Sequence, residues 1–208
     1  MLLNNKVNTT VFIVDDDEAL GESVRWLIES VGLKAEIYDN AISFLNSYDN
    51  KSRGCLILDV RMPEISGLIL QEELQKKQIN IPIIFITGHG DIPMAVQAMK
   101  AGAVDFLTKP FNDQALLDSI HSAIQIDAKQ YKETEKLNRI VKRIKKLTPR
   151  EFEVMELIVD GCSNKSVASH LKIATKTVEL HRAKIMDKME TKSLAELVKF
   201  VLMYRNYM

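Results

Sequence analysis

Three consecutive aspartates, Asp15, Asp16 and Asp17, follow the apolar run VFIV, and a fourth, Asp59, closes the run CLILD. Thr87 closes FIT, and Lys109 stands one residue beyond FLT, directly before Pro110. Two carboxylates in contact repel by about 1 kcal/mol in water and by several in a partly buried site, so something must offset that cost. Carboxylates beside one lysine suit Mg²⁺, a hard cation that takes oxygen ligands and keeps some water. An aspartate in such a set can also act as a nucleophile and form an acyl phosphate. Mg²⁺ and Lys109 would then neutralise the phosphoryl oxygens, the Thr87 hydroxyl would donate to one of them, and Gly88 would leave room for the group.

These residues make one site only if the elements carrying them share a rim. Near-continuous apolar runs (VFIV, AEIY, CLILD, PIIFIT, DFLT) alternate with amphipathic stretches. The stretch Ala19–Val31 shows helical spacing through Leu20, Val24, Leu27, Ile28 and Val31. Buried strands alternating with helices predict an α/β unit with a doubly wound, five-stranded parallel sheet covered on both faces. In such sheets functional groups gather at the carboxyl ends of the strands, where all the polar residues named above fall.

A helical pattern without Gly or Pro begins at Gln114 and runs to about Lys146. Beyond it the chain reads as all helical. Thr148 is an expected N-cap, with Pro149 in the first turn and Glu151 completing a capping box, and Gly161 ends that helix. Ser163 caps a second helix running to about Leu171, a third spans about Thr175–Met189, and Ser193 with Glu196 forms a second expected capping box opening a fourth. Four short helices with tight turns fit an all-α helix-turn-helix domain.

Charge follows the same division. Residues 1–127 hold 10 Lys and Arg against 18 Asp and Glu, residues 128–147 hold 8 against 2, and residues 148–208 hold 10 against 8. An acidic module followed by a basic one predicts different partners for each. Cys55 and Cys162 sit in unrelated contexts and read as core fillers rather than a disulfide or metal pair. No apolar run is long enough to span a membrane, and the N-terminus lacks signal-peptide anatomy, so a soluble cytoplasmic protein is expected.

The ordered motifs VDDD, LDVRMPEISG, ITGHGD and FLTKPF resemble the receiver domain of two-component response regulators. The segment GHGDIPMAVQAMKAGAVDFLTKPF further resembles the FixJ type. The resemblance implies a flavodoxin-like receiver over residues 1–127, with Asp59 as phosphoacceptor. It implies Asp15, Asp16, Asp59 and the backbone carbonyl of Arg61 as Mg²⁺ ligands, and Thr87, Lys109 and the switch aromatic Phe106 as the responding residues. Asp17 is left as a spare, solvated charge. Haloacid-dehalogenase-type phosphatases also use a strand-end aspartate, but they need a second acid two residues on, where this chain has Arg61, so an enzyme of that class is not expected.

LTPRE, GCSNKSVASHLKI and TVELHRAKIMDKM resemble the LuxR-type DNA-binding domain, expected over residues 148–208 after a helical linker at 128–147. Val178, Ile185 and Met189 repeat at core spacing in its recognition helix. The opposite side presents Glu179, Leu180 and Ala183 to base edges, with Lys176, Thr177, Arg182, Lys184 and Lys188 as expected phosphate contacts. Ala174 stands where many relatives carry a hydroxyl cap, which Thr175 could supply instead. The expected function is a transcription regulator, phosphorylated by a sensor histidine kinase. Phosphorylation would drive a homodimer onto double-stranded DNA, with RNA polymerase as a further partner. The alternative is a DNA-binding protein independent of phosphorylation, whose receiver serves only as a docking module.

Overall fold

The structure, a computed structural model, describes residues 9–50, 52–88 and 91–207. The N-terminal stretch read as lacking a leader, and His89 and Gly90 of the ITGHGD motif, lie outside the described residues. Contacts divide the chain into two compact units, Met1–Gln130 and Tyr131–Met208.

The first unit alternates strand and helix. Its elements are β1 (Thr9–Val14), α1 (Glu18–Ser30), β2 (Lys34–Tyr38), α2 (Ala41–Ser47), β3 (Arg53–Asp59), α3 (Gly67–Lys76), β4 (Ile83–Thr87), α4 (Ile92–Lys100), β5 (Asp105–Thr108) and α5 (Asp113–Ile144). All strand pairs are parallel, in the order β2-β1-β3-β4-β5. The chain therefore reverses its winding direction at β1, which opens a crevice between the carboxyl ends of β1 and β3.

Alternation along each strand divides the core by face. Phe12, Val14, Leu56, Leu58 and Phe85 pack with Phe44 of α2, Leu70 and Leu74 of α3, and Ala98 of α4. Val11, Ile13, Ile57, Ile84 and Ile86 point the other way, onto Val24 and Ile28 of α1 and Leu116 and Ile120 of α5. Side chains buried to this degree contribute about 1.5–3 kcal/mol each. Two close approaches depend on glycine. A Cβ on Gly54, whose φ is 141°, would lie 1.8 Å from the Thr10 carbonyl oxygen, and one on Gly67 would lie 2.2 Å from the Asp59 carbonyl oxygen.

The second unit comprises the C-terminal part of α5 followed by α6 (Pro149–Val159), α7 (Asn164–Leu171), α8 (Thr175–Lys188) and α9 (Leu194–Arg205). The Thr148 capping box forms as expected. The one at Ser193 is half made: the Ser193 hydroxyl accepts from Glu196 N–H, but the Glu196 carboxylate turns to Lys192 N–H. Ile140 and Ile144, near the C-terminal end of α5, are buried with Val154, Met155, Val178, Ile185 and Val201 in the second core.

Candidate functional site

Backbone bonds between neighbouring strand ends set the acidic site. Val60 N–H donates to Ile86 O at 3.1 Å, Lys109 N–H to Thr87 O at 2.7 Å, and Asp15 N–H to Tyr38 O at 3.2 Å. Asp15, Asp16, Asp59, Thr87 and Lys109 thus meet at the carboxyl edge of the sheet. Asp15, Asp16 and Asp59 each offer an oxygen within 4.8 Å of the others; Asp15 and Asp59 are buried and Asp16 faces solvent. Lys109 Nζ donates to Asp15 Oδ2 at 2.8 Å and stands 3.3 Å from Asp59 Oδ1.

One lysine cannot neutralise three carboxylates. Burial pushes the Asp59 carboxyl above the usual range; Lys109 pulls it back, while Asp15 and Asp16 push it further up. Burial also opposes the Lys109 charge, but its bond to Asp15 and the charges of Asp15 and Asp59 outweigh this and raise its pKa. Asp59 Oδ1 is buried and accepts no aligned hydrogen bond among the described residues. That unmatched oxygen, two further carboxylates and the solvent-facing side at Asp16 fit a hard divalent cation.

Asp17 is not the spare charge expected from the sequence. Its side chain caps α1 by accepting from Leu20 N–H at 3.1 Å, and its own N–H donates to Asp15 Oδ1 at 2.9 Å, which orients that carboxylate. Arg61 lies in the loop after β3 with its side chain exposed. The same loop holds Glu64 at φ 63° and closes through Gly67 N–H on Val60 O at 3.0 Å. Thr87 is buried, and a Cβ on Gly88 would meet nothing within 4 Å. Phe106 lies half-buried opposite Phe85, their ring centroids 6.1 Å apart.

Gln71 was not singled out from the sequence. It is buried on α3, and its amide donates to Ala98 O and Ala101 O at 3.3 and 3.2 Å, tying α3 to the C-terminal end of α4. Its spacing from Gly67 and Leu74 on the buried face was the available signal.

In the second unit, α7 and α8 are joined by a turn in which Lys172 takes a left-handed conformation with φ 54°. Val178, Ile185 and Met189 are fully buried, as their spacing predicts. Lys176, Glu179, Leu180, Ala183 and Lys184 are exposed, and Thr177 is half-buried. Two of the expected phosphate contacts have partners within the unit. Arg182 Nη1 donates to Asn164 Oδ1 at 2.9 Å. Lys188 Nζ pairs with Glu151 Oε2 at 2.5 Å, because the capping-box carboxylate is buried and needs a cation. Ala174 is the N-cap of α8 with no side-chain cap hydrogen bond, so Thr175 does not take over that role.

A buried acidic crevice on a 2-1-3-4-5 sheet, followed by a helix-turn-helix unit, is the arrangement of a receiver coupled to a DNA-binding domain. Residues 11–121 match the response regulator receiver domain family, and residues 145–201 match the bacterial regulatory proteins, luxR family. The chain is 44% identical over 191 residues to response regulator protein TodT of Pseudomonas putida F1, covering 92% of this chain and 84% of that one. It is 43% identical over 193 residues to transcriptional regulatory protein FixJ of Azorhizobium caulinodans, covering 93% and 92%. Response regulator StyR matches in structure with a TM-score of 0.84 at 46% identity, covering 94% of this chain and 99% of that one. Full-length FixJ from B. japonicum gives 0.58 at 40% identity, covering 95% and 98%.

The chain belongs to the response regulator family, in the branch that carries a LuxR-type DNA-binding domain. It is a two-component transcription regulator and not an enzyme. No helix among the described residues is long and apolar enough to cross a membrane.

Proposed function

We propose that Asp59 accepts a phosphoryl group from the phosphohistidine of a sensor histidine kinase, with Mg²⁺ held by Asp15, Asp16, Asp59 and the Arg61 carbonyl. The observation that carries this is the buried Asp59 Oδ1, beside Lys109 and two further acids yet accepting no aligned hydrogen bond. The Asp59 oxygen attacks phosphorus, an O–P bond forms as the P–N bond to the kinase histidine breaks, and the imidazole leaves. Lys109 follows the transferred oxygens as a fixed positive charge, and the Thr87 hydroxyl donates to one of them. Bound Mg²⁺ supplies the remaining neutralisation. Water reaches the open side at Asp16, so the acyl phosphate hydrolyses slowly.

Phosphorylation adds about −1.5 to −2 charges, to which Thr87 and Phe106 adjust. The surface of α4 and β5 then supports a homodimer. Ile92, Val96 and Met99 of α4 are 81%, 45% and 46% exposed, at spacing i, i+4, i+7 on one face. The functional division is a receiver at 1–127, a linker at 128–147 and a DNA-binding domain at 148–208, acting in the cytoplasm on double-stranded DNA and RNA polymerase. On α8, Glu179, Leu180 and Ala183 read base edges, while Lys176, Thr177 and Lys184 meet phosphates.

The test is phosphorylation of the purified chain by a small acyl-phosphate donor with and without Mg²⁺. Mg²⁺-dependent labelling that vanishes in Asp59→Asn is the expected result. Labelling retained by Asp59→Asn moves the site elsewhere. A wild type that takes no phosphate from the donor or from a kinase, yet binds DNA, favours the docking-module alternative.

A further inference from the structure

The basic run at 128–147 is only partly used by the fold. Lys136 and Arg143 lie over the Phe200 ring of α9, at 6.0 and 5.7 Å from its centroid, and Arg143 also pairs with Glu190. Lys132, Arg139, Lys142, Lys145 and Lys146 are exposed. None of these five has an acidic partner among the described residues. Four acids of this unit are committed to other cations, Glu151 to Lys188, Glu156 and Asp160 to Arg205, and Glu153 to Arg150, while Glu133 and Glu135 lie on α5 itself. Lys132, Arg139 and Lys142 fall within about 80° of one another at 100° per residue, on the side of α5 away from Ile140 and Ile144; Glu135 shares that arc, and its carbonyl accepts from Arg139 Nε at 3.3 Å, so the arc stays net basic with three cations against one acid.

The place where this stripe joins α8 gives it a partner. At 1.5 Å per residue the 14 residues of α8 are about 21 Å long, whereas the major groove is about 12 Å wide. With the N-terminal half of α8 in the groove, its C-terminal end stands at or beyond the phosphate wall. Glu190, immediately after the α8 C-cap Met189, holds Arg143 there. The C-terminal end of α5, from which the basic side runs, therefore lies against the C-terminal end of α8.

We infer that the exposed cations of α5 and the turn after it bind DNA phosphates flanking the groove that α8 enters, as a second, sequence-independent contact surface. This rests on the reading of α8 as the groove-entering helix. It widens the footprint beyond the helix-turn-helix and makes up for the two cations, Arg182 and Lys188, that the fold has engaged internally.

The test compares full-length wild type with the triple variant Lys132→Gln, Arg139→Gln, Lys142→Gln. Binding to a random-sequence duplex is measured at several salt concentrations. Each phosphate contact contributes about 0.9 to the slope of log K against log salt, so the slope should fall by about 2.7. Between 50 and 200 mM salt the wild type should then lose about forty-fold more affinity than the variant. A charge-conserving variant, Lys132→Arg, Arg139→Lys, Lys142→Arg, should keep the wild-type slope. An unchanged slope in the Gln variant overturns the inference, as does a charge-conserving variant that loses the slope equally. Tighter DNA binding by the Gln variant also overturns it, and assigns the stripe to an acidic protein surface instead. A wild type that binds no duplex at any salt concentration sinks the underlying DNA-binding reading as well.

Discussion

At the scale of single residues, the acidic site is strained electrostatically before any cation binds. Burial is the main reason that the Asp59 carboxyl is shifted up, with Asp15 and Asp16 adding to it and Lys109 only partly offsetting them. A carboxyl whose folded pKa exceeds its unfolded one stabilises the fold fully below the unfolded pKa, and that stability is lost as pH rises through the folded pKa. At neutral pH the ionised Asp59 is therefore a net burden. Asp59→Asn should raise the melting temperature of the metal-free protein by about 4 °C, on the order of 1 kcal/mol. Added Mg²⁺ should stabilise the wild type and narrow the gap. Thermal melts with and without Mg²⁺ check this, and an unchanged or lower melting temperature in metal-free Asp59→Asn would count against it.

The residues of this site were legible in the sequence because strand-end chemistry needs particular side chains in a particular order. What stayed hidden were the residues that aim them. Asp17 looked redundant beside two other aspartates, yet it both caps α1 and donates to Asp15. Nothing in its neighbourhood distinguishes a capping aspartate from a solvated one until the first turn of the helix is placed.

At the scale of elements, the helix ends carry the more instructive departures. Lys188 was read as a phosphate contact because it is basic and lies on a recognition helix. In the structure it pairs with Glu151, 37 residues away in sequence, so no local pattern reveals that pair. Burial pushes the Glu151 carboxyl up, but the bonds from Lys188 and Thr148 N–H outweigh it and hold the carboxyl below its usual value. Such a group contributes stability above the unfolded carboxylate pKa and loses it as pH falls through the folded value. Lys188→Met should cost about 2 kcal/mol at neutral pH, since it strands a buried carboxylate. The cost should shrink in acid as that carboxylate protonates. Melts of the second unit at neutral and acid pH would check this. A loss of DNA affinity with no loss of stability would restore the phosphate-contact role. By contrast, the Thr148 capping box and the core spacing of Val178, Ile185 and Met189 were readable, because both are set by residues within a few turns of one another.

At the scale of the whole molecule, the proposed signalling requires the phosphorylated receiver to change what a second copy or the DNA encounters. Moving an equilibrium from 1:99 to 99:1 takes about 5.5 kcal/mol, more than one local charge needs to supply if subunit contacts share the work. Ile92→Lys together with Val96→Lys should leave phosphorylation of Asp59 intact while abolishing phosphorylation-driven self-association. Sedimentation of free and phosphorylated forms at matched concentration reads the outcome. A phosphorylated variant that still dimerises would place the interface elsewhere. The parallel sheet covered on both faces was readable from the alternation of apolar runs, the two modules from the charge segregation and the all-helical tail, and the winding only through the receiver resemblance. The place of the C-terminal part of α5 was not, because its buried Ile140 and Ile144 follow a mostly polar stretch of the same helix in the sequence.

The outermost strands of the sheet bear on how copies can meet. β2 carries Lys34 and Glu36, ion-paired at 2.6 Å along the sheet margin, and β5 is only 4 residues long and is followed by Pro110, which has no N–H to offer. Charged or very short margins are poor templates for backbone pairing with another chain. The sheet is thus closed to lengthening from either side. A copy that associates through this unit must do so by side chains, on helical surfaces whose contacts can be made and unmade, and not by recruiting a sixth strand whose ladder of hydrogen bonds would lock the signal on.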